Sequence, residues 1–239
     1  EGDYLFFIDA DDMILEKEVD KIIELCKENK YDVIAGTYLF LYENNIQKGA
    51  PFIMKKNHSC SDLKYLLTLS QYTAEAVKYI VKKDFFVNNN LFFKEHIFHE
   101  DELYMPKLLT AVNGNKLCIF YEPFYLYRKH ENTITTSINI KKQFDMIYIS
   151  KEIYKMVDKV NDQIKKNFLK SRANLIFISC CSELYLFKTR DKQSLIQELK
   201  YLLGLFKNNK TTRKEKMAYC LIKIIGFSGF SYLQKIRKK

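Results

Sequence analysis

A chain of 239 residues, 47% hydrophobic and 28% charged, is long enough to bury a core as one large or two small domains, and it reads as globular, not disordered or fibrous. Its six cysteines (Cys26, Cys60, Cys118, Cys180, Cys181, Cys220) form no CxxC pair and two lie side by side in an apolar run, so a disulfide framework and a zinc site are both disfavoured; reduced core thiols of a cytoplasmic protein are expected. The net charge of +10 is concentrated in one place: from Lys207 to the end, ten Lys or Arg face one acid, Glu215, so the basicity speaks to what the tail touches.

The opening YLFFI lacks a basic leader and a small-residue cleavage site, which excludes a signal peptide. It predicts a fully buried strand ending in a polar loop, Asp9 to Asp12. Val19, Ile22, Ile23 and Cys26 then fall at i, i+3, i+4, i+7, an amphipathic helix ended by Asn29 and Lys30. Asp32 to Tyr42, Glu43-Asn44-Asn45 and a short run to Met54 predict a hairpin. Ser59 or Ser61 is placed to cap a short helix through Leu69, and 74–84 fits helix or strand equally. His99 to Val112 has helical Leu and Met spacing, with Pro106 near its first turn or bending it. Leu117 to Tyr127, interrupted by Pro123, predicts two short strands meeting at a turn. From Lys141 the pattern becomes helical over about 141–160, 162–188, 192–206 and 213–237, which puts a domain seam near 138; no internal repeat or low-complexity segment appears.

Asp9-Ala10-Asp11, at the end of a strand, presents two carboxylates at a sheet edge, hard oxygen donors suited to Mg²⁺ or Mn²⁺ carrying a diphosphate. The triplet alone is short, and solvated turns and helix caps share it. A calcium EF-hand loop would need an acid or Asn at position 13 and Gly at 14, where Met13 and Ile14 stand, so that reading fails. A phosphatase with an Asp nucleophile stays as a distant alternative, because its pattern continues with Gly or Thr and here Asp12-Met13 follows.

His99-Glu100-Asp101-Glu102 is a second acidic cluster. As a helix N-terminus it places carboxylates where the macrodipole favours them. As a functional group it offers a general base for a hydroxyl nucleophile. YLYRKHENTITTS, from Tyr125 to Ser137, adds Arg128, suited to bidentate phosphate contact, and His130, able to ligate a metal or donate to phosphate; either residue could equally be a solvated loop side chain.

The order of these pieces (YLFFIDADD, then KKDFFVNNNLFFKEHIFHEDELY, then EPFYLYRKHENTITTS) resembles the second half of family 2 glycosyltransferases over about residues 1 to 137. The resemblance implies an α/β fold: a GT-A-like mixed sheet flanked by helices, followed by a mainly α-helical C-terminal region. It assigns 1–137 to a catalytic and acceptor-side portion and 138–239 to a helical region with a basic amphipathic tail. It implies Asp9, Asp12 and Arg128 on the donor, Asp11 and His130 on a divalent metal (Mn²⁺ or Mg²⁺), Asp101 as catalytic base and Glu100 as an orienting acid. The reaction would be an inverting transfer from a nucleotide-sugar donor to a glycan or lipid-linked acceptor in bacterial surface polysaccharide synthesis. Family members carry further opening strands and acids that hold the base and ribose. This sequence starts at the Asp-x-Asp strand, so a fragment or a separately completed enzyme is expected. A truncated, non-catalytic domain that binds a glycan or a partner is the alternative.

The tail from 207 matches no catalytic motif. Met217 to Leu233 carries Lys223, Gly226 and Gly229, which argues against a spanning helix. Two readings stand side by side. One is a basic amphipathic helix on the anionic inner face of the cell membrane, with Leu221, Ile222, Ile224, Ile225, Phe227 and Phe230 in the headgroup region. The other is a terminal helix packed on its own domain. Nucleic-acid binding ranks behind both, since no binding module surrounds the charge.

Overall fold

The structure, a computed structural model, describes residues 2–42, 45–48, 61–68, 72–129 and 138–237. The chain divides into two compact units, one of Glu1–Phe93 with Tyr104–Thr136 and the other of Lys94–Leu103 with Ser137–Lys239.

The first unit is built on a mixed sheet of six strands: β1 (Tyr4–Phe6), β2 (Met13–Ile14), β3 (Val33–Tyr42), β4 (Asn45–Lys48), β5 (Tyr79–Lys82) and β6 (Leu117–Lys129). The strand order is β1-β5-β3-β6-β2, with β4 also on β3. Only β3 and β6 run parallel; the other pairs are antiparallel. The predicted hairpin forms, Leu39 facing Lys48 and Tyr42 facing Asn45. Helix α1 (Glu16–Lys27) forms as its spacing predicts, though Ile22 is buried while Ile23 is 43% exposed.

Two expectations are corrected and one open reading is resolved. The opening strand is not fully buried: β1 ends the strand order, pairs with β5 alone and is half-buried throughout. A run of aromatics reports burial on a sheet but not which strand lies beside it. Nor does Pro123 separate two strands, for β6 is continuous through it. Between Ile119↔Ala35 and Tyr125↔Tyr38 the ladder slips, β6 spending twice as many residues as β3. The proline, which has no N–H to donate, sits in that irregularity. Lastly, 74–84 is neither one helix nor one strand: a 3-10 turn (Ala76–Lys78) leads into β5 and then α3 (Lys83–Asn88).

Gly36 lies at the same irregularity because the ring of Phe124 occupies the space of a side chain. A Cβ there would stand 1.9 Å from Phe124 Cε1. Phe124 in turn joins Ile22, Ile34, Tyr38, Val77, Ile80, Phe120 and Tyr125 in one buried cluster. Helix α2 (Asp62–Thr68) starts after Ser61, whose hydroxyl accepts from Lys64 N–H at 3.4 Å; Ser59 lies outside the described residues. Helix α4 (Asp101–Ala111) carries Pro106 in its interior.

The second unit holds four long helices: α5 (Ile140–Val157), α6 (Gln163–Glu183), α7 (Thr189–Asn209) and α8 (Arg213–Arg237), close to the predicted spans. Asn139 and Asp162 cap α5 and α6 by accepting from Lys141 N–H and Lys165 N–H. Thr212 and Glu215 cap α8 reciprocally: the Thr212 hydroxyl accepts from Glu215 N–H at 3.2 Å, and the Glu215 carboxylate accepts from Thr212 N–H at 3.0 Å. Inside, Tyr154 donates to Asn174 at 2.6 Å and Asn174 to Asn209 O at 2.9 Å, satisfying polar groups among buried Ile153, Leu169, Phe177 and Phe206.

The basic tail is not one continuous amphipathic helix. Gly226 takes φ 69°, so α8 is two helices meeting at a kink. The expected apolar face divides accordingly. Ile222, Phe227 and Phe230 are buried and Ser231 accepts from Tyr185 N–H at 2.8 Å, whereas Ile224 is 78% exposed. Among the described residues no helix is long and apolar enough to cross a membrane.

Candidate functional site

The Asp9 to Asp12 loop joins β1 to β2, strands at opposite ends of the sheet order. From Phe6 to Met13 the chain reaches at most roughly 25 Å when extended. Four flat strand spacings alone take about 19 Å. A turn (Asp12 N–H to Asp9 O, 3.1 Å) shortens the link, which leaves it little slack in passing from one edge strand to the other.

What fixes this loop is β6. The Tyr125 hydroxyl accepts from Asp9 N–H at 3.1 Å and donates to Asp12 Oδ2 at 2.6 Å. Arg128 N–H donates to Asp12 Oδ1 at 2.7 Å, and Arg128 Nε to the Asp11 carbonyl at 2.9 Å. Both oxygens of Asp12 are thus engaged by β6, so this carboxylate braces the loop. Asp9 and Asp11 are exposed. Burial first, then the Asp12 hydrogen bond, holds the Tyr125 phenol far above its ordinary range, so it stays a donor.

Of the sequence-predicted residues, the first unit brings together Asp9, Asp11, Asp12 and Arg128. His130 lies outside the described residues. Asp9 and Asp11, two residues apart on the braced loop, are exposed carboxylates, the hard oxygen type that a Mg²⁺ or Mn²⁺ ion takes. Among the described residues no group of three His, Cys, Asp or Glu gathers around a metal position.

Glu100 and Asp101 belong to the second unit. Asp101 opens α4, half-buried, and its Oδ1 accepts from Glu102 N–H at 2.8 Å; Glu100 is exposed. The segment before them is bent by two non-glycine residues at positive φ, His96 (64°) and His99 (58°). Burial, reinforced by Lys142, holds the His99 imidazole below its usual pKa, against Glu102, Glu100 and Asp145.

Sequence reasoning missed Tyr125, which fixes the acidic loop, and Asp145 and Arg172, which bond to residues 98 and 102. A Tyr in a strand following an acidic loop is a weak signal, and polar residues on helical faces carry none about distant partners.

No family model matches the chain. It is 26% identical over 159 residues to poly(ribitol-phosphate) beta-N-acetylglucosaminyltransferase TarP of Staphylococcus aureus (strain N315), covering 66% of this chain and 47% of that protein; the chain thus spans about half the length of this relative. The structure of S. aureus TarS 1-349 in complex with UDP-GlcNAc matches all of this chain and 68% of that one, with TM-score 0.72 at 16% identity. A longer S. aureus TarS structure matches 99% of this chain and 39% of its own, with TM-score 0.64 at 18% identity. The fold is therefore GT-A-like, a mixed sheet flanked by helices and followed by a helical region, as the resemblance implied.

Proposed function

We propose that this chain is the catalytic and acceptor-side part of an inverting glycosyltransferase of bacterial surface polysaccharide synthesis. Its first candidate donor is UDP-GlcNAc and its first candidate acceptor a poly(ribitol-phosphate) glycan, the ligands named for the TarS structure and the TarP relative. The observation that carries the reading is the acidic loop, braced through Asp12 by Tyr125 and Arg128 so that Asp9 and Asp11 stand exposed.

In this reading Asp9 and the Arg128 guanidinium contact the donor, and Asp11, with His130, holds a divalent cation. When bound, such an ion neutralises charge building on the departing diphosphate. Asp101 takes the proton of the acceptor hydroxyl, whose oxygen bonds to the anomeric carbon from the face opposite the leaving group. The bond to the diphosphate oxygen breaks, and the nucleoside diphosphate carries away the electron pair. Glu100 orients the acceptor. Preorganisation is the chain's own contribution: a loop already bonded to β6 needs no ordering when the donor arrives.

Calorimetric titration of UDP into the chain with and without Mn²⁺, repeated on Asp11→Ala, tests this. Metal-dependent binding lost in the variant is the expected result. Absence of binding in every condition sinks donor binding by this chain and favours the non-catalytic remnant.

We also propose a cytoplasmic location with peripheral contact at the inner face of the membrane. Met217, Ile224, Tyr232, Leu233 and Ile236 of α8 are exposed beside Lys223, Lys235 and Arg237. Salt-sensitive sedimentation with phosphatidylglycerol vesicles, weakened by Ile224→Glu, is expected; equal recovery with neutral vesicles at any salt would refute it.

A further inference from the structure

The segment that carries the acid pair, Lys94–Leu103, is short and irregular up to Asp101, yet it groups with the helices of the second unit. The reason is a set of bonds at both of its ends. Upstream, Asp145 Oδ2 on α5 accepts from Phe98 N–H at 2.9 Å and from Lys141 Nζ at 2.6 Å. Lys141 Nζ also donates to His96 O at 2.8 Å and stands 4.9 Å from the centroid of the Phe98 ring. Downstream, Arg172 on α6 donates to Glu102 Oε2, in an ion pair whose side chains are 16% and 21% exposed. Glu100 and Asp101 lie between these attachments.

Each attachment contains a part-buried bond, Phe98 N–H to Asp145 upstream and Arg172 to Glu102 downstream. The Arg172–Glu102 pair is mostly buried, where a guanidinium–carboxylate bond is strong and directional and where losing one partner strands the other. Asp145 collects a backbone N–H and an ammonium on a single oxygen, and its side chain is 14% exposed. Between them lies His99 at positive φ, and His96, whose carbonyl Lys141 holds, takes positive φ just upstream; such conformations persist only where surroundings over-determine them. A segment held at both ends and bent in the middle has little freedom left to move its two acids.

We propose that Asp145 and Arg172 are positioning residues for the Glu100–Asp101 acid pair, so that helices α5 and α6 set where the proposed base stands. This rests on the reading of Asp101 as the acceptor's base. It gives the helical region a part in the chemistry beyond packing, since misplacing a catalytic group by about 1 Å can lower the rate by about 100-fold.

Two readouts test it. In amide hydrogen exchange on the full chain, Asp145→Ala should remove protection at Phe98 and raise exchange across 97–102, while buried amides of α5 and α6 keep theirs. Asp145→Asn, which retains an acceptor oxygen, should restore much of the Phe98 protection. In transfer from UDP-GlcNAc, Asp145→Ala and Arg172→Met should lower kcat by roughly tenfold or more with the KM for UDP-GlcNAc within about twofold, and Asp145→Asn and Arg172→Lys should recover part of it. Unchanged Phe98 exchange, or loss of protection through the whole unit, overturns the positioning role. If exchange behaves as expected but Asp101→Asn turns over normally, the base assignment falls, and with it the catalytic meaning of the attachment.

Discussion

The Tyr125 hydroxyl reaches Asp12 across 113 residues of sequence and donates to its carboxylate at 2.6 Å. The same oxygen receives Asp9 N–H, so one phenol on β6 ties both ends of the acidic loop. Tyr125→Phe keeps the buried ring and deletes only this atom. The expected outcome is a loss of roughly 1–3 kcal/mol in denaturant stability, typical of a hydrogen bond to a charged group. Metal-dependent UDP binding should weaken as well, because an unbraced loop must be ordered by the ligand. A variant of unchanged stability and affinity would show the loop to be fixed by other contacts.

Gly36→Ala puts a methyl group where the Phe124 ring already is. Phe124 is 1% exposed and packed in the cluster with Ile34 and Tyr38, so it has nowhere cheap to go. Thermal or chemical denaturation should show a loss of about 1–3 kcal/mol, the usual range for overpacking. Adding Phe124→Leu to Gly36→Ala should cost less than the sum of the two single changes, since the smaller side chain makes room for the methyl group and the methyl group fills part of the space the ring leaves. Strict additivity would mean the ring moves freely.

Much of this architecture is visible along the chain because its cause is local. The apolar, β-branched and aromatic run from Asp32 to Tyr42 and the Glu43-Asn44-Asn45 turn signal specify β3 and β4 without outside help, and the 3.6 spacing of Val19, Ile22 and Cys26 specifies α1. What was hidden depends on neighbours. Nothing in YLFFI says that its strand pairs on one side only, and nothing around Pro123 says that β3 holds the chain extended through it. The candidate site divides in the same way. Asp9, Asp11, Asp12 and Arg128 stand in readable motifs, but the Tyr125 bond to Asp12, and those of Asp145 and Arg172 to residues 98 and 102, join segments 47 to 113 residues apart. The Gly226 kink was visible as a glycine, not as a positive φ.

At that kink Gly226 stands at φ 69° and ψ 173°, a region essentially reserved to glycine, so Gly226→Ala should destabilise by about 1–3 kcal/mol. No atom lies within 4 Å of the added Cβ, so the penalty is conformational and not steric. Gly226→Asn should cost about as much, because the tolerance of Asn for positive φ belongs to the left-handed helical region at ψ of roughly 30–60°. Similar losses in melting temperature for Ala and Asn check it; Ala equal to Gly would mean that the two halves of α8 join into one helix at no cost.

His99 ties stability to pH in a stated direction. Burial first, then Lys142, keeps its imidazole below the ordinary value of 6.5, with Glu102, Glu100 and Asp145 opposing them. The unfolded chain therefore binds the proton before the folded one. Stability is fully present above about pH 6.5 and is lost as pH falls through the lower folded value. His99→Asn tolerates the positive φ of that position and cannot titrate there. Urea midpoints measured from about pH 7 down to about pH 5 should fall less steeply for the variant than for the parent chain. Equal slopes would place the His99 ring in water, ionising as it does unfolded.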